Sequence, residues 1–372
     1  MILLNTEAEL MSTPDDSFPV SPRLYGRNIN LDWKNMSTIS RRKLLTTTPA
    51  LTAGALLSGL PGKLLAATPS TSAVPRPGGS TLITYYQVPM QKRWPINNKL
   101  VQSKPYAKYF QKDLVAPVNM VEALENGPLP KEWIFPPTVN GLKKVMQTFS
   151  QAPVSGYALV EEGPLAYAQS RHVFPGVTAK MFEWWFCWHP LESERYMLWF
   201  PYAHIHNSVK DPKRLADKSR TYAERLYGNP NHITEYIGAM FLDGVINFDD
   251  STTFGVDRTM IEKEGFTFNA SGIITPVDAL DTPLVLMIHL ARDTPAGLEM
   301  INRYWIGTHD SFDRFKKFPD GAQKSKALTK KMGLDKVALE NFAYEMALHD
   351  MTEFTCLGKF LADIYKDNNP NG

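Results

Sequence analysis

Cysteine is nearly absent. The 372 residues hold two, Cys187 and Cys356, which excludes a disulfide scaffold and any zinc site built from several thiolates. A pairing of the two is left open, and the favoured reading is two small buried apolar residues. An excess of either charge sign is also missing. Lys and Arg number 40 against 38 Asp and Glu, a formal net charge of +2, and no basic stripe with interleaved aromatics occurs. Nucleic acid is therefore not an expected partner. No apolar run reaches the ~20 residues that a membrane-spanning helix needs, so no stable membrane span is expected. Internal repeats are absent. What remains, 43% apolar and 21% charged residues, is the composition of a globular chain with a sizeable core.

The most informative feature is polar residues standing where core residues belong. Near the C-terminus an apolar stripe runs Leu339, Phe342, Met346, then His349 and Glu353, then Leu357, Phe360 and Ile364. Its steps of three and four match the helical period, so His349 and Glu353 sit one turn apart on the buried face. A buried carboxylate needs a partner, and a metal ion with the imidazole as a second ligand supplies one. A second pair of this kind, His204 and Glu235, lies in two strand-like stretches in mid-chain. His206 competes with His204, because residues i and i+2 share one face of a strand.

The first 80 residues are expected to lie outside the fold. Ser40-Arg41-Arg42-Lys43-Leu44-Leu45 resembles a twin-arginine export signal, and a moderately apolar run follows to about Leu60. Then come Lys63, Leu65-Ala66-Ala67 and a Thr/Ser/Pro-rich linker, Thr68 to Ser80. That order is the order of an exported precursor and predicts a periplasmic protein, or a cytoplasmic one if the Arg-Arg pair is accidental. Met36 makes a better start for such a leader than Met1.

Residues 81–150 are Pro-rich with short apolar runs and are read as a small accessory segment, with helices at Val118–Leu124 and Leu142–Phe149. Residues 151–372 are read as the main domain. Strand-like alternation spans 156–175, and a helix with the apolar stripe Ala179, Phe182, Trp185 and Phe186 spans Thr178–Trp188. Further strands are expected at Arg195–His204, His232–Val245, Gly265–Ile274, Leu284–Ala291 and Leu298–Gly307, followed by a closing helix from Ala338 to Tyr365. The class is α+β, with the last helix laid across a curved antiparallel sheet and a small-molecule cavity between the two layers.

The block Pro175 to Glu192, with Trp184-Trp185-Phe186-Cys187-Trp188-His189-Pro190 at its centre, resembles the 2,4-diacetylphloroglucinol hydrolase family, to which phloretin hydrolase is related. The resemblance continues through Arg195-Tyr196, Ala203-His204-Ile205-His206-Asn207, Thr234-Glu235-Tyr236-Ile237-Gly238, Arg303-Tyr304-Trp305-Ile306-Gly307 and His349 to Glu353. It covers roughly Ser155 to Tyr365. It implies a helix-grip (START-like) fold with a small N-terminal segment, and one zinc ion held by His204, Glu235, His349 and Glu353. Tyr196, Asn207 and Tyr304 would hold the hydroxyls of a phenolic ring, and Glu235 is favoured over Glu353 as a ligand that also serves as general base. The implied reaction is hydrolysis of the carbon–carbon bond between an acyl group and that ring, in a small aromatic ketone. With Asn207 and His204 both in one pocket, the strand must end or bulge near Ile205. Nitrogen and oxygen donors suit zinc, though iron and manganese accept the same set. An iron oxygenase and an exported carrier of an aromatic ligand are the rival readings, and the leader is a departure from the family pattern.

Overall fold

The computed structural model describes residues 79–370. The leader, its linker up to residue 78 and the Met36 start lie outside the described residues. The chain begins with β1 (Ser80–Leu82), α1 (Val88–Val101), β2 (Val115–Pro117), α2 (Val118–Glu125) and α3 (Val139–Thr148). It continues with β3 (Ser155–Val160), β4 (Leu165–Phe174), α4 (Ala179–Trp188), α5 (Ser193–Trp199), β5 (His204–Val209), α6 (Pro212–Ala216) and α7 (Tyr222–Leu226). Next are β6 (Asn231–Ile237), β7 (Met240–Phe248), α8 (Arg258–Glu264), β8 (Phe268–Asn269), β9 (Gly272–Pro276), β10 (Val285–Thr294) and β11 (Gly297–Gly307). The chain closes with α9 (Gly321–Lys331) and the 33-residue α10 (Lys336–Asn368).

Nine strands form one sheet in the order β3-β4-β11-β10-β9-β7-β6-β5, with β8 beside β10. Every pairing is antiparallel. Successive side chains on a strand point to opposite faces, and β11 shows the result. Met300, Tyr304 and Ile306 join the core beneath α10, whereas Ile301 and Trp305 join a second core with Leu142, Val145 and Met146 of α3. The sheet is thus buried on both faces. The stripe read in the sequence is the buried face of α10: Leu339, Phe342, Met346, His349, Glu353, Leu357, Phe360 and Ile364 are all buried. Met120 and Leu124 of α2 pack into the same core. Cys187 and Cys356 are free and buried, as expected of small apolar residues.

Three expected strands differ in the structure. Arg195–His204 is not a strand: α5 covers its first half and β5 starts only at His204. Ser193, Glu194 and Arg195 come first and the buried Tyr196, Met197, Leu198 and Trp199 last, so polar and apolar residues divide along this helix rather than by face and show no 3.6-residue period. His232–Val245 is a hairpin of β6 and β7 that turns at Gly238, where φ is +60°. Gly265–Ile274 divides into β8 and β9, and Gly265 itself caps α8 in the left-handed conformation. The 14-residue α1 is not among the expected helices: Pro95 lies inside its span, where proline opposes a helix, whereas Pro89 falls in the first turn, where it is tolerated.

The helix crosses the sheet closely at Gly358. A Cβ there would come within 2.6 Å of the Phe174 ring, and that ring is 3% exposed and packed between His172, Phe182 and Phe354. In a free helix, Gly→Ala stabilises by about 1 kcal/mol. Here overpacking, at about 1–3 kcal/mol, should win. Gly358→Ala is expected to lower the melting temperature by several degrees; a rise would show that the ring yields freely.

Candidate metal centre

α10 begins at Asp335, whose side chain accepts from the backbone N–H of Ala338. The buried stripe of Leu339, Phe342, Met346, Leu357, Phe360 and Ile364 turns His349 and Glu353 toward the sheet. Facing them, β5 and β6 pair His204 directly with Glu235. The register then shifts: His206 pairs with Thr234 and Asn207 with Ile233. Ile205 is the extra residue of a bulge, so His204 and Asn207 fall on one face and His206 on the other. Both ring nitrogens of His206 lie beside serine hydroxyls, Nδ1 2.8 Å from Ser193 and Nε2 3.0 Å from Ser208.

The four candidate ligands meet. His204 Nε2 lies 3.2 Å from Glu235 Oε2 and 3.4 Å from Glu353 Oε2. His349 Nε2 lies 3.7 Å from each of the same two oxygens. His204, His349 and Glu353 bring donor atoms within 4.8 Å of one another. Glu235 falls outside that group of three, but its short approaches to both imidazoles place it in the cluster. A tetrahedral ion with bonds of about 2.0–2.2 Å sets its ligand atoms about 3.3–3.6 Å apart, close to the four separations observed. His204 Nδ1 donates to the Tyr196 carbonyl at 3.0 Å, which leaves the lone pair of a neutral ring on Nε2, the arrangement usual in metal-binding histidines. Despite its close oxygens, that buried Nε2 makes no well-directed hydrogen bond. A cation between the four groups would fit this donor set.

Without a metal, the four side chains balance one another through their protons. Burial pushes the Glu353 carboxyl up to about 8 against the pull of His204, and it pushes His349 down to about 4. Burial also opposes the charge on His204, yet Glu235 and Glu353 together hold it up to about 9. It likewise opposes the charge on Glu235, which the two histidines keep below the ordinary carboxylate range. The charged His204 thus faces the two carboxylates, which stand at 7% and 8% exposure, and a proton is held on Glu353; a cation at the site would take the place of both protons.

Around this cluster stand the other expected groups. The Tyr196 ring stacks on His204 at 3.7 Å between centroids, and its hydroxyl donates to Glu235 Oε2 at 2.6 Å. The Tyr304 hydroxyl donates to Asp350 Oδ1 at 2.8 Å. Burial first, then the charges of Asp350, Glu353 and Glu235, hold both protons on: each phenol lies well above its ordinary pKa, Tyr196 by Glu235 and Glu353, Tyr304 by all three. Asn207 Oδ1 is buried without a partner. A narrow cleft lined by Ile83, Tyr86, Gln87, Met90 and Phe200 reaches His349 from the side of α1.

Four polar residues near the site had no signal in the reading of the sequence. Asp350 stands just off the stripe of α10. It accepts from Asn302 and lies 2.8 Å from His172 Nε2. His289, 4% exposed, meets the Tyr304 ring edge-on at 5.2 Å and has no partner for either nitrogen. Strand alternation on β10, where His289 lies between Met287 and Ala291, would have placed it on the core face. Trp185 is fully buried and packs against Trp188, Trp199 and Phe360, so the Trp-rich block is chiefly core.

His204→Ala and His206→Ala separate the two readings of this strand. The first is expected to lose most of the bound metal and the second to keep it, as measured by metal analysis at equal protein. Equal loss from both would mean that the bulge does not decide which imidazole binds.

Comparison with known proteins gives one consistent result. A family profile described as the DAPG hydrolase PhiG domain matches residues 135–366. A 2,4-diacetylphloroglucinol hydrolase from a Pseudomonas species is 40% identical over 287 residues, covering 77% of this chain and 96% of its own. The protein of that name from Pseudomonas protegens is 40% identical over the same length, covering 92% of its own. Phloretin hydrolase from Eubacterium ramulus is 23% identical over 269 residues, covering 70% of this chain and 89% of its own.

Proposed function

Because the chain belongs to the DAPG hydrolase family, we propose that it is a metal-dependent hydrolase of acylated polyphenols, cutting the carbon–carbon bond between the acyl group and the phenolic ring. The observation that carries this reading is the convergence of His204, Glu235, His349 and Glu353 from β5, β6 and α10 at 3.2–3.7 Å. Zinc is the proposed ion, since two imidazoles and two carboxylates suit it. Helix-grip is the proposed fold type, on the strength of α10 lying against an antiparallel sheet.

The reaction adds water across the bond: the acyl group leaves as a carboxylic acid and the ring carbon takes a hydrogen. When bound, the metal would supply Lewis acidity toward the water or the acyl oxygen. The protein must then orient the ring, accept the proton of water and return a proton to the ring carbon. Glu235 is the proposed general base, with its carboxylate fixed by Tyr196. Tyr304 and Asn207 would orient the ring hydroxyls, and a hydroxyl next to the acyl group lets the ring pass through its keto form. Phe200, Trp199 and Phe354, all buried and in ring contact with His204, His349 or one another, keep bulk water from the cluster.

The test is metal quantification on the purified protein followed by a panel of acylphenols, with products identified by mass. Zinc with release of acid and free polyphenol is the expected result. Iron with oxygen-dependent cleavage would point to an oxygenase, and binding without turnover to a carrier.

Export through the twin-arginine route belongs to the same proposal and rests on Ser40-Arg41-Arg42 ahead of the apolar run. Replacing both arginines by lysine should leave precursor in the cytoplasm, read by fractionation. Equal periplasmic yield would make the motif accidental. Among the described residues, no helix is long and apolar enough to cross a membrane.

A further inference from the structure

Asp350 is 1% exposed and every partner it has is a donor. Its Oδ1 accepts from the Asn302 amide at 2.7 Å and from the Tyr304 hydroxyl at 2.8 Å, and its Oδ2 lies 2.8 Å from His172 Nε2. These partners come from β4 and β11, on the face of the sheet beneath α10. A phenol has one proton to give and lone pairs to receive, and an ionised carboxylate can only receive. With its proton engaged by Asp350, Tyr304 can offer any other neighbour only an accepting oxygen. Tyr196 is in the same state, its proton on Glu235 at 2.6 Å. The third group of the set, Asn207, has its amide oxygen buried without a partner, and that atom also accepts.

We infer that the pocket reads the ring hydroxyls of its substrate as hydrogen-bond donors, and that Asp350, held by His172 and Asn302, is the positioning residue that fixes Tyr304 in the accepting orientation. The inference rests on the proposed reading of Tyr304 as a ring-hydroxyl contact. Three acceptors, Tyr196 on Glu235, Tyr304 on Asp350 and Asn207 on the strand face it shares with His204, suit a polyphenol with its protons in place. They reject a ring whose oxygen has lost its proton or has been replaced by a group unable to donate, because a buried acceptor is then left unmet.

The experiment uses the metal-loaded enzyme and acylphloroglucinol as substrate. Competing ligands are ring analogues in which one hydroxyl is replaced by an amino group, which donates, or by fluorine, which is of similar size and does not. The wild type is expected to bind the amino analogue at least tenfold more tightly than the fluoro analogue. Asp350→Asn gives Tyr304 an amide that can donate to it, so the phenol can turn its own proton to the ligand. The amino-over-fluoro preference should fall at least fivefold. Tyr304→Phe should lose it to the same extent, and Asp350→Asn added to Tyr304→Phe should change it no further.

A purely structural Asp350 would lower the melting temperature and the rate in Asp350→Asn while leaving the preference intact, and that result overturns the inference. Equal further loss in the Tyr304→Phe background overturns it as well. If Asp350→Asn does not fold, wild type against Tyr304→Phe still decides, because a wild type that binds both analogues alike contradicts an accepting Tyr304. Failure of the wild type to turn over any acylphenol removes the functional reading, and the inference with it. Turnover with no donor preference removes the inference alone.

Discussion

Stripping the metal from the purified protein is expected to lower its melting temperature by roughly 5–15 °C and to abolish activity, with both restored by zinc. The figure follows from the residues. His204, Glu235, His349 and Glu353 stand at 0%, 7%, 5% and 8% exposure on two paired strands and the helix laid against them. Without the metal only the His204 imidazolium and a proton on Glu353 offset the buried carboxylates; a buried charge short of its partner costs about 3–5 kcal/mol, and for a chain of this size each kcal/mol moves the midpoint by about 2–4 °C. His349→Ala and Glu353→Ala should each lose the metal and the activity, whereas His309→Ala should keep both. His309 caps the short turn at 310–314 and bonds Ser311 there. Full metal occupancy in both helix variants would sink the ligand assignment. An unchanged melting curve after verified metal loss would show that the cluster is held by packing alone.

The parts of this site that were legible in the sequence are those where a period fixes direction. On α10 the 3.6-residue period carried His349 and Glu353 into the core with no help from elsewhere, because a 33-residue helix leaves little doubt about phase. The strand residues were harder. Two histidines two apart have the same phase in a regular strand, and only a bulge at Ile205 separates them. A bulge is a matter of pairing with β6, which local sequence does not record. α5 differs from the expected strand for a related reason: its polar residues, 193–195, precede its apolar ones, 196–199, so no face of the helix shows in the sequence. The network around Asp350 was invisible because it is assembled from β4, β11 and α10, whose members are 178 and 48 residues apart along the chain. The family resemblance supplied His204, Glu235, Tyr196, Asn207 and Tyr304 as a set. The structure adds where each hydroxyl proton goes.

An aryl ketone without a hydroxyl next to the acyl group is expected to be cleaved at least a hundredfold more slowly than the matched acylphloroglucinol, at equal metal loading. Two effects combine. The ring carbon must leave with an electron pair, and without the hydroxyl it has no keto form through which to take its proton. The buried acceptors Tyr196, Tyr304 and Asn207 also lose their partners, and each unmet group costs about 1–3 kcal/mol. Tyr304→Phe and Asn207→Ala isolate the second effect, since neither supplies a candidate ligand. Each should cost roughly ten- to a hundredfold in kcat/KM with the metal retained. The two effects separate in the variants. If the hydroxyls only orient the ring, Tyr304→Phe with Asn207→Ala should together remove most of the gap between the two ketones. If the hydroxyl also carries the proton chemistry, a large gap should survive in that double variant, because the ring still lacks its keto route whatever the pocket does. Comparable cleavage of both ketones by the wild type would mean that the hydroxyl plays neither part, and that the accepting wall built from Glu235, Asp350 and the two tyrosines serves the fold rather than the ligand.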